Sequence, residues 1–258
     1  MASPPASSAA TAAVALPAAP PTGGLSVPTA PLGSPSAWGV FAATWRRDLR
    51  IEWRDRQALN AMLFYALLVI VIFSFAFEAQ AALTVRVGGG LLWVAFLFAG
   101  LLALDRAFGR EAAGDCLTGL AISPASRAAT LAGKCAAAFV LMLAIEAILV
   151  PLFAVLFNAP AVARWGGIAL TVVLGTWALA ATGTYFSALG AHSRQRTLLL
   201  PLLLLPVAIP AVIAMVQATQ LYLNGRGDTG FWLQLLVAYD AIFTALGVLL
   251  ADVVLEVE

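Results

Sequence analysis

The sequence predicts an all-α membrane protein with six transmembrane helices. Three observations predict it. The 258-residue chain is 62% hydrophobic and 10% charged, with a mean hydropathy of +0.95, whereas a soluble domain is about a quarter charged. Its apolar residues gather into runs of roughly 20, the length needed to cross the hydrocarbon core. Those runs lack the alternation, in segments of about ten residues, that marks a membrane β-barrel strand.

The elements follow in chain order. Residues 1–37 carry no charged side chain and hold eight of the fourteen prolines, among Ala, Ser and Gly. Such a composition cannot bury a core and predicts a disordered segment. It does not read as a secretory signal, because a basic start is missing and Pro17, Pro20 and Pro21 interrupt the apolar run. Residues 38–258 form the membrane domain, with spans expected at about 57–77, 87–104, 135–157, 167–191, 197–221 and 231–254.

Ahead of the first span lies a candidate interfacial helix. At about 100° per residue, Trp38, Phe41, Ala42, Trp45, Leu49 and Trp53 share one stripe. Arg46, Arg47, Arg50 and Arg54 fall on a neighbouring face. Tryptophans at headgroup depth with arginines toward anionic lipid are the pattern of a helix lying in the membrane surface. An ordinary positively charged anchor fits the same residues.

Charge assigns the sides. Eleven basic residues flank the first span or lie in the second and fourth loops, against Arg86, Arg164 and Arg226 on the other face. The positive-inside rule then predicts that both termini lie in the cytoplasm. The stretch 105–134 becomes a cytoplasmic loop between spans two and three. Its Ser123-Pro124 pair predicts a helix start there, with Ser as N-cap and Pro at the first helical position. A net charge of +1 excludes a nucleic-acid role that rests on overall basicity.

Chemistry-bearing motifs are scarce. Cys116 and Cys135 lack a CxxC partner, and the single His192 cannot build a metal site alone. Gly133-Lys134 is not a P-loop, since residue 128 is Ala and residue 135 is Cys. No nucleotide site of its own is expected, and no spaced catalytic motif appears in the spans, so the chain does not read as an enzyme. Glu146 and Asp240 fall at about mid-bilayer depth in spans three and six. Both must face the bundle interior, protonated or hydrogen-bonded. They fit either a state-sensing pair or neutral carboxyls that tie helices together. Ala95, Ala99 and Ala103 on span two, and Gly183, Ser187 and Ala191 on span four, are small-residue faces suited to close helix contact. Pro201, Pro206 and Pro210 in span five fit a mobile element or fixed kinks.

Taken in order, five stretches resemble the CcmB family. They are "RDLRIEWRDRQALNAMLFYALLVIVIFSFAF", "GLLWVAFLFAGLLALDRAFGRE", "LAISPASRAATLAGK", "EAILVPLFAVLFN" and "LGTWALAATGTYFSALGAHSRQRTLLLPLLLLPVAIP". The likeness covers about residues 38–258. It implies an ABC-2 (type V exporter) permease fold, with a connecting helix first and a coupling helix between spans two and three. It implies the membrane subunit of the haem-exporter ABC system of cytochrome c maturation, driven by a separate CcmA-like ATPase that carries ATP-Mg. CcmC-like and CcmD-like membrane subunits and a CcmE-like haem chaperone are the other implied partners, with a second copy of the chain left open. Haem is then handled by the complex, without a cofactor assigned to this subunit. For ATPase docking, the loop's composition and the resemblance together select Arg110, Glu111, Asp115, Leu117, Leu120 and Ser123, with Arg106 bracing the helix end. Alternatives from the residues alone are export of a lipid or drug, or a non-transporting scaffold.

Overall fold

The computed structural model describes residues 36–76, 81–113, 126–157, 165–190, 196–225 and 227–251. These form seven helices and, among the described residues, no strand. They are α1 (Ala37–Arg54), α2 (Arg56–Ala76), α3 (Ala81–Ala113), α4 (Arg127–Leu156), α5 (Trp165–Gly190), α6 (Arg196–Asn224) and α7 (Gly230–Leu249). Helices α2 to α7 each hold a stretch long and apolar enough to cross a membrane. All six expected spans are therefore present, and residues 1–35, expected to be disordered, lie outside the described residues. With 33 residues, α3 is about 50 Å long. It exceeds a hydrocarbon core of about 30 Å, so its end projects toward the 105–134 loop.

Helices α3 and α5 form the centre of the bundle. Helix α3 packs on α2, α4, α5 and α6, and α5 packs on α3, α4, α6 and α7. Their spans are more than half buried, whereas α2 and α7 present most of their surface outward. The main core cluster includes Met62 and Ile70 of α2, Trp93 and Phe96 of α3, Leu149 of α4, Leu179 of α5 and Leu204 and Met215 of α6, and a smaller one joins Leu131, Ala188 and Ala251.

Lipid tails are as apolar as leucine, so burial alone does not hold such helices together; close packing and hydrogen bonds must. Both are found where α3 meets α5. Leu104 of α3 lies over Gly183, where a Cβ would stand 2.2 Å from its Cδ1 atom. One turn on, the Ser187 hydroxyl donates to the Leu104 carbonyl at 2.8 Å. Ala95, Ala99 and Ala103 are buried, as their small size required; Ala191 lies outside the described residues. Further along, the Trp93 ring fills the space left by Gly175, where a Cβ would stand 2.4 Å from it. Its indole Nε1 donates to Thr219 Oγ1 of α6 at 3.0 Å.

Helix α6 runs unbroken through Pro201, Pro206 and Pro210. Each proline withholds the N–H that a carbonyl four residues earlier would use. Next to the carbonyl affected by Pro210, the Tyr239 hydroxyl of α7 donates to Val207 O at 3.2 Å. Thr182 of α5 in turn donates to that hydroxyl at 3.1 Å. Three helices are thus tied at the proline-rich stretch, which favours fixed kinks over a free hinge.

Gly183→Val should lower stability by about 1–3 kcal/mol through overpacking against the buried Leu104. Gly166→Ala, which meets no atom within 4 Å, should leave it unchanged. Thermal unfolding of the detergent-solubilised protein, followed by size-exclusion chromatography, checks both.

Candidate functional site

The loop between α3 and α4 is the region selected by sequence for partner docking. Arg106, Arg110 and Glu111 fall in the last turns of α3, but their side chains lie outside the described residues. Asp115, Leu117, Leu120 and Ser123 also lie outside them. The described α4 begins later than Ser123-Pro124 suggested. Its N-cap is Ser126, whose hydroxyl accepts from Ala129 N at 3.3 Å. Thr130 Oγ1 donates to the Ser126 carbonyl at 3.2 Å. A serine two residues after a proline can cap as well as one immediately before it, and the sequence offers both.

At the start of α4, α1 docks. Ser36 caps α1 by accepting from Gly39 N at 3.2 Å. Helix α1 lies mainly against α4 and touches α2. The approach is close at Gly133, where a Cβ would stand 2.9 Å from the Phe41 carbonyl and 3.0 Å from Thr44 Cβ. One residue on, Lys134 is buried, with 2% of its side chain exposed, and its Nζ lies 3.0 Å from Asp48 Oδ2. Asp48 also receives Arg47 Nε at 2.9 Å.

This corrects the expected orientation of α1 in part. The face turned to the protein includes Val40, Phe41, Thr44, Trp45 and Asp48, while Trp38 and Trp53 stay exposed. Arg46, Arg47, Arg50 and Arg54 are exposed too, as an interfacial helix with a basic face requires. The stripe omits Asp48 because a tryptophan stripe seeks apolar residues, and this contact is ionic. Lys134, counted among the loop's cytoplasmic charges, is instead an internal partner. The signal available in the sequence was Asp48 followed by Glu52, one turn apart in an otherwise basic helix.

The intramembrane acids are both buried, as expected, but do not pair; no hydrogen bond joins them among the described residues. Glu146 of α4 bonds through Oε2 to the Thr176 hydroxyl of α5. Thr176 also lies 2.7 Å from the Val172 carbonyl. The Thr176 hydroxyl thus lies between Glu146 Oε2 and a main-chain carbonyl of its own helix, and Glu146 Oε1 is buried with no hydrogen-bond partner among the described residues. Asp240 of α7 lies on another side of α5, in a groove with Trp177. Cys135 is a buried free thiol in an apolar cavity of about 300 Å³ with Phe41, Leu131, Trp177 and Tyr185; Cys116 and His192 lie outside the described residues. Among the described residues, no three His, Cys, Asp or Glu side chains come together.

The family model described as "CcmB protein" matches residues 39–257, from the third residue of α1 to the end of the chain but one. The chain belongs to the CcmB family.

Relatives agree over most of their length. Heme exporter protein B of Bradyrhizobium diazoefficiens is 34% identical over 214 residues, covering 81% of this chain and 93% of the relative. That of Rhodobacter capsulatus is 33% identical over 200 residues, covering 77% and 88%. That of Pseudomonas aeruginosa is 31% identical over 208 residues, covering 80% and 92%. This CcmB-family chain therefore carries α1, the Lys134–Asp48 pair and all six spans inside the family match, while the Ala/Pro-rich start lies outside it.

Lys134→Met leaves the Asp48 carboxylate with the exposed Arg47 as its cation and should destabilise the α1–α4 contact by about 1–3 kcal/mol, with Asp48→Asn added to it recovering part of the loss. Protease accessibility of α1 in membrane vesicles, together with the unfolding temperature, reads both. Glu146→Gln should keep the bond to Thr176 and the unfolding temperature, whereas Glu146→Leu should cost about 1 kcal/mol. Equal melting of the two variants would show that the bond contributes nothing.

Proposed function

We propose that this chain is the membrane subunit of an ABC transporter complex for cytochrome c maturation. A separate ATPase drives it, and the complex exports haem or releases a haem-loaded chaperone on the periplasmic side. One observation carries the reading: six apolar spans preceded by a separate helix coincide with a family match over residues 39–257, and proteins called heme exporter protein B align with most of the chain. The missing P-loop assigns ATP-Mg to a partner chain, in the role of a CcmA-like ATPase. CcmC-like and CcmD-like membrane subunits and a CcmE-like chaperone complete the assembly in this reading.

The positive-inside count supports an inner-membrane orientation with both termini in the cytoplasm. That orientation turns the 105–134 loop toward the ATPase. The loop is then the docking surface. Arg106, Arg110, Glu111 and Asp115 orient the contact, and Leu117 and Leu120 supply its burial, as charged rims and apolar centres do in protein interfaces generally. Ser123 closes the docking segment before α4. Because Ser126 caps α4 firmly and α1 is pinned to Lys134 seven residues after the helix begins, displacement of the loop is passed to α4 and α1 together.

Arg110→Glu combined with Leu117→Asp should reduce co-purification of the ATPase about tenfold or more, the scale expected when an interface loses its central contacts. Membrane levels of the variant should stay at wild type, and haem-stained c-type cytochromes should fall in parallel. Undiminished ATPase recovery would remove this loop as the docking surface.

A further inference from the structure

A cavity of about 300 Å³ lies where α1 meets the bundle, and four helices wall it. Phe41 comes from α1, Leu131 from α4, Ala181 from α5 and Phe243 from α7. Ala128, Ala132 and Ala136 follow one another at single-turn spacing along the α4 wall, each half-buried. They line a slot about 12 Å long. On the α7 wall a Cβ added at Gly247 would meet no atom within 4 Å.

The chemistry of the wall restricts what fills this space. A buried water needs about two to four polar partners, and two of the wall hydroxyls are withheld. Thr244 already accepts from Trp177 Nε1 at 3.0 Å, and the Thr184 oxygen is enclosed by the chain's own atoms. The medium around a spanning bundle is hydrocarbon, so an alkyl chain is the occupant the wall fits.

The level of the slot and its neighbours say which alkyl chain. Helix α4 has 30 residues and is about 45 Å long, against a hydrocarbon core of about 30 Å. Its first turns carry Arg127 and Lys134, so that end stands at headgroup level and the slot runs from it into the hydrocarbon. Helix α1 crosses α4 there, at Gly133 and Lys134. It brings four arginines against two acids, and Lys134 already engages one of those acids, Asp48. Arg46, Arg50 and Arg54 are exposed. Arg46 lies five residues beyond Phe41, about 8 Å along the helix, a distance that one phospholipid bridges between its phosphate and its upper chain. Trp38 stacks on Phe41 at 5.2 Å and stays exposed, a ring type enriched at headgroup depth.

We infer that this cavity is a lipid site, seating one acyl chain of an anionic phospholipid whose phosphate lies on the exposed arginines of α1. The slot selects an alkyl chain, and the arginines select the headgroup: a zwitterionic lipid brings its own cation to the phosphate, whereas an anionic one does not. Both α1 and α7 wall the cavity, so the bound chain packs one against the other. The Lys134–Asp48 pair holds α1 over the slot. This site stands whether or not the chain serves haem export.

The test uses the full chain purified in mild detergent, with dioleoyl phosphatidylglycerol and dioleoyl phosphatidylcholine as probes. Native mass spectrometry counts the lipid retained. The expected result is a single phosphatidylglycerol, retained about fivefold or more over phosphatidylcholine, the scale of one arginine near an anionic surface. Arg46→Gln with Arg50→Gln should remove the preference while leaving phosphatidylcholine retention unchanged. Gly247→Leu and Ala132→Leu fill the slot from α7 and α4, and each should reduce retention of both lipids about fivefold or more. Gly166→Leu, also in open space but at the far end of α5, should not. A phosphatidylglycerol bearing a diazirine at mid-chain should crosslink within 128–136 and 243–248, and Gly247→Leu should remove those adducts. Equal retention of the two lipids by the wild-type chain would overturn the inference. So would retention that both slot-filling variants leave intact, or adducts confined to the outer faces of α2 and α6. Should one slot-filling variant fail to accumulate, the other and the wild-type crosslinks decide the matter.

Discussion

The approach of α3 to α5 is the constraint on which the rest of the bundle depends. In a solvent of hydrocarbon, two apolar helices gain little by touching unless their backbones come close. Gly183 permits that approach by leaving room for Leu104, and Gly175 does the same for Trp93. The Ser187 hydroxyl then reaches a main-chain carbonyl across the interface, a bond available only at this separation. Once α3 and α5 are set, Trp93 reaches Thr219 on α6, and Trp177 reaches Thr244 on α7. The outer helices are placed by indole donors that extend from the central pair.

Much of this was legible in the sequence, for a physical reason. Span length follows from bilayer thickness, so all six helices could be placed from apolar runs alone. The small-residue faces were legible because glycine, alanine and serine at helical spacing have few other uses in lipid. What stayed hidden were contacts between distant polar residues. Asp48 and Lys134 each look like ordinary surface charges, and only the fold shows that they meet. The start of α4 was misplaced for a local reason: Ser123 and Ser126 flank Pro124, and either can cap. Glu146 and Asp240 were both recognised as buried, but composition could not show that they face different sides of α5.

Those two acids illustrate how one chemical group is handled differently in one bundle. One oxygen of Glu146 meets a threonine on the neighbouring helix, while its Oε1 is buried without a partner among the described residues. That bond joins α4 to α5. Neither carboxyl oxygen of Asp240 has a hydrogen-bond partner among the described residues, on a helix that leaves most of its surface outward. A polar group satisfied internally stabilises a subunit.

The ion pair between α1 and α4 also has a consequence in time. Asp48 and Lys134 are 86 residues apart. At a synthesis rate of about 5–20 residues per second, Asp48 leaves the ribosome roughly 4–17 s before its partner does. Throughout that interval α1 exists without the helix on which it packs in the finished bundle. The contact between α1 and α4 is therefore a late step of assembly, closed only after two further spans have been made.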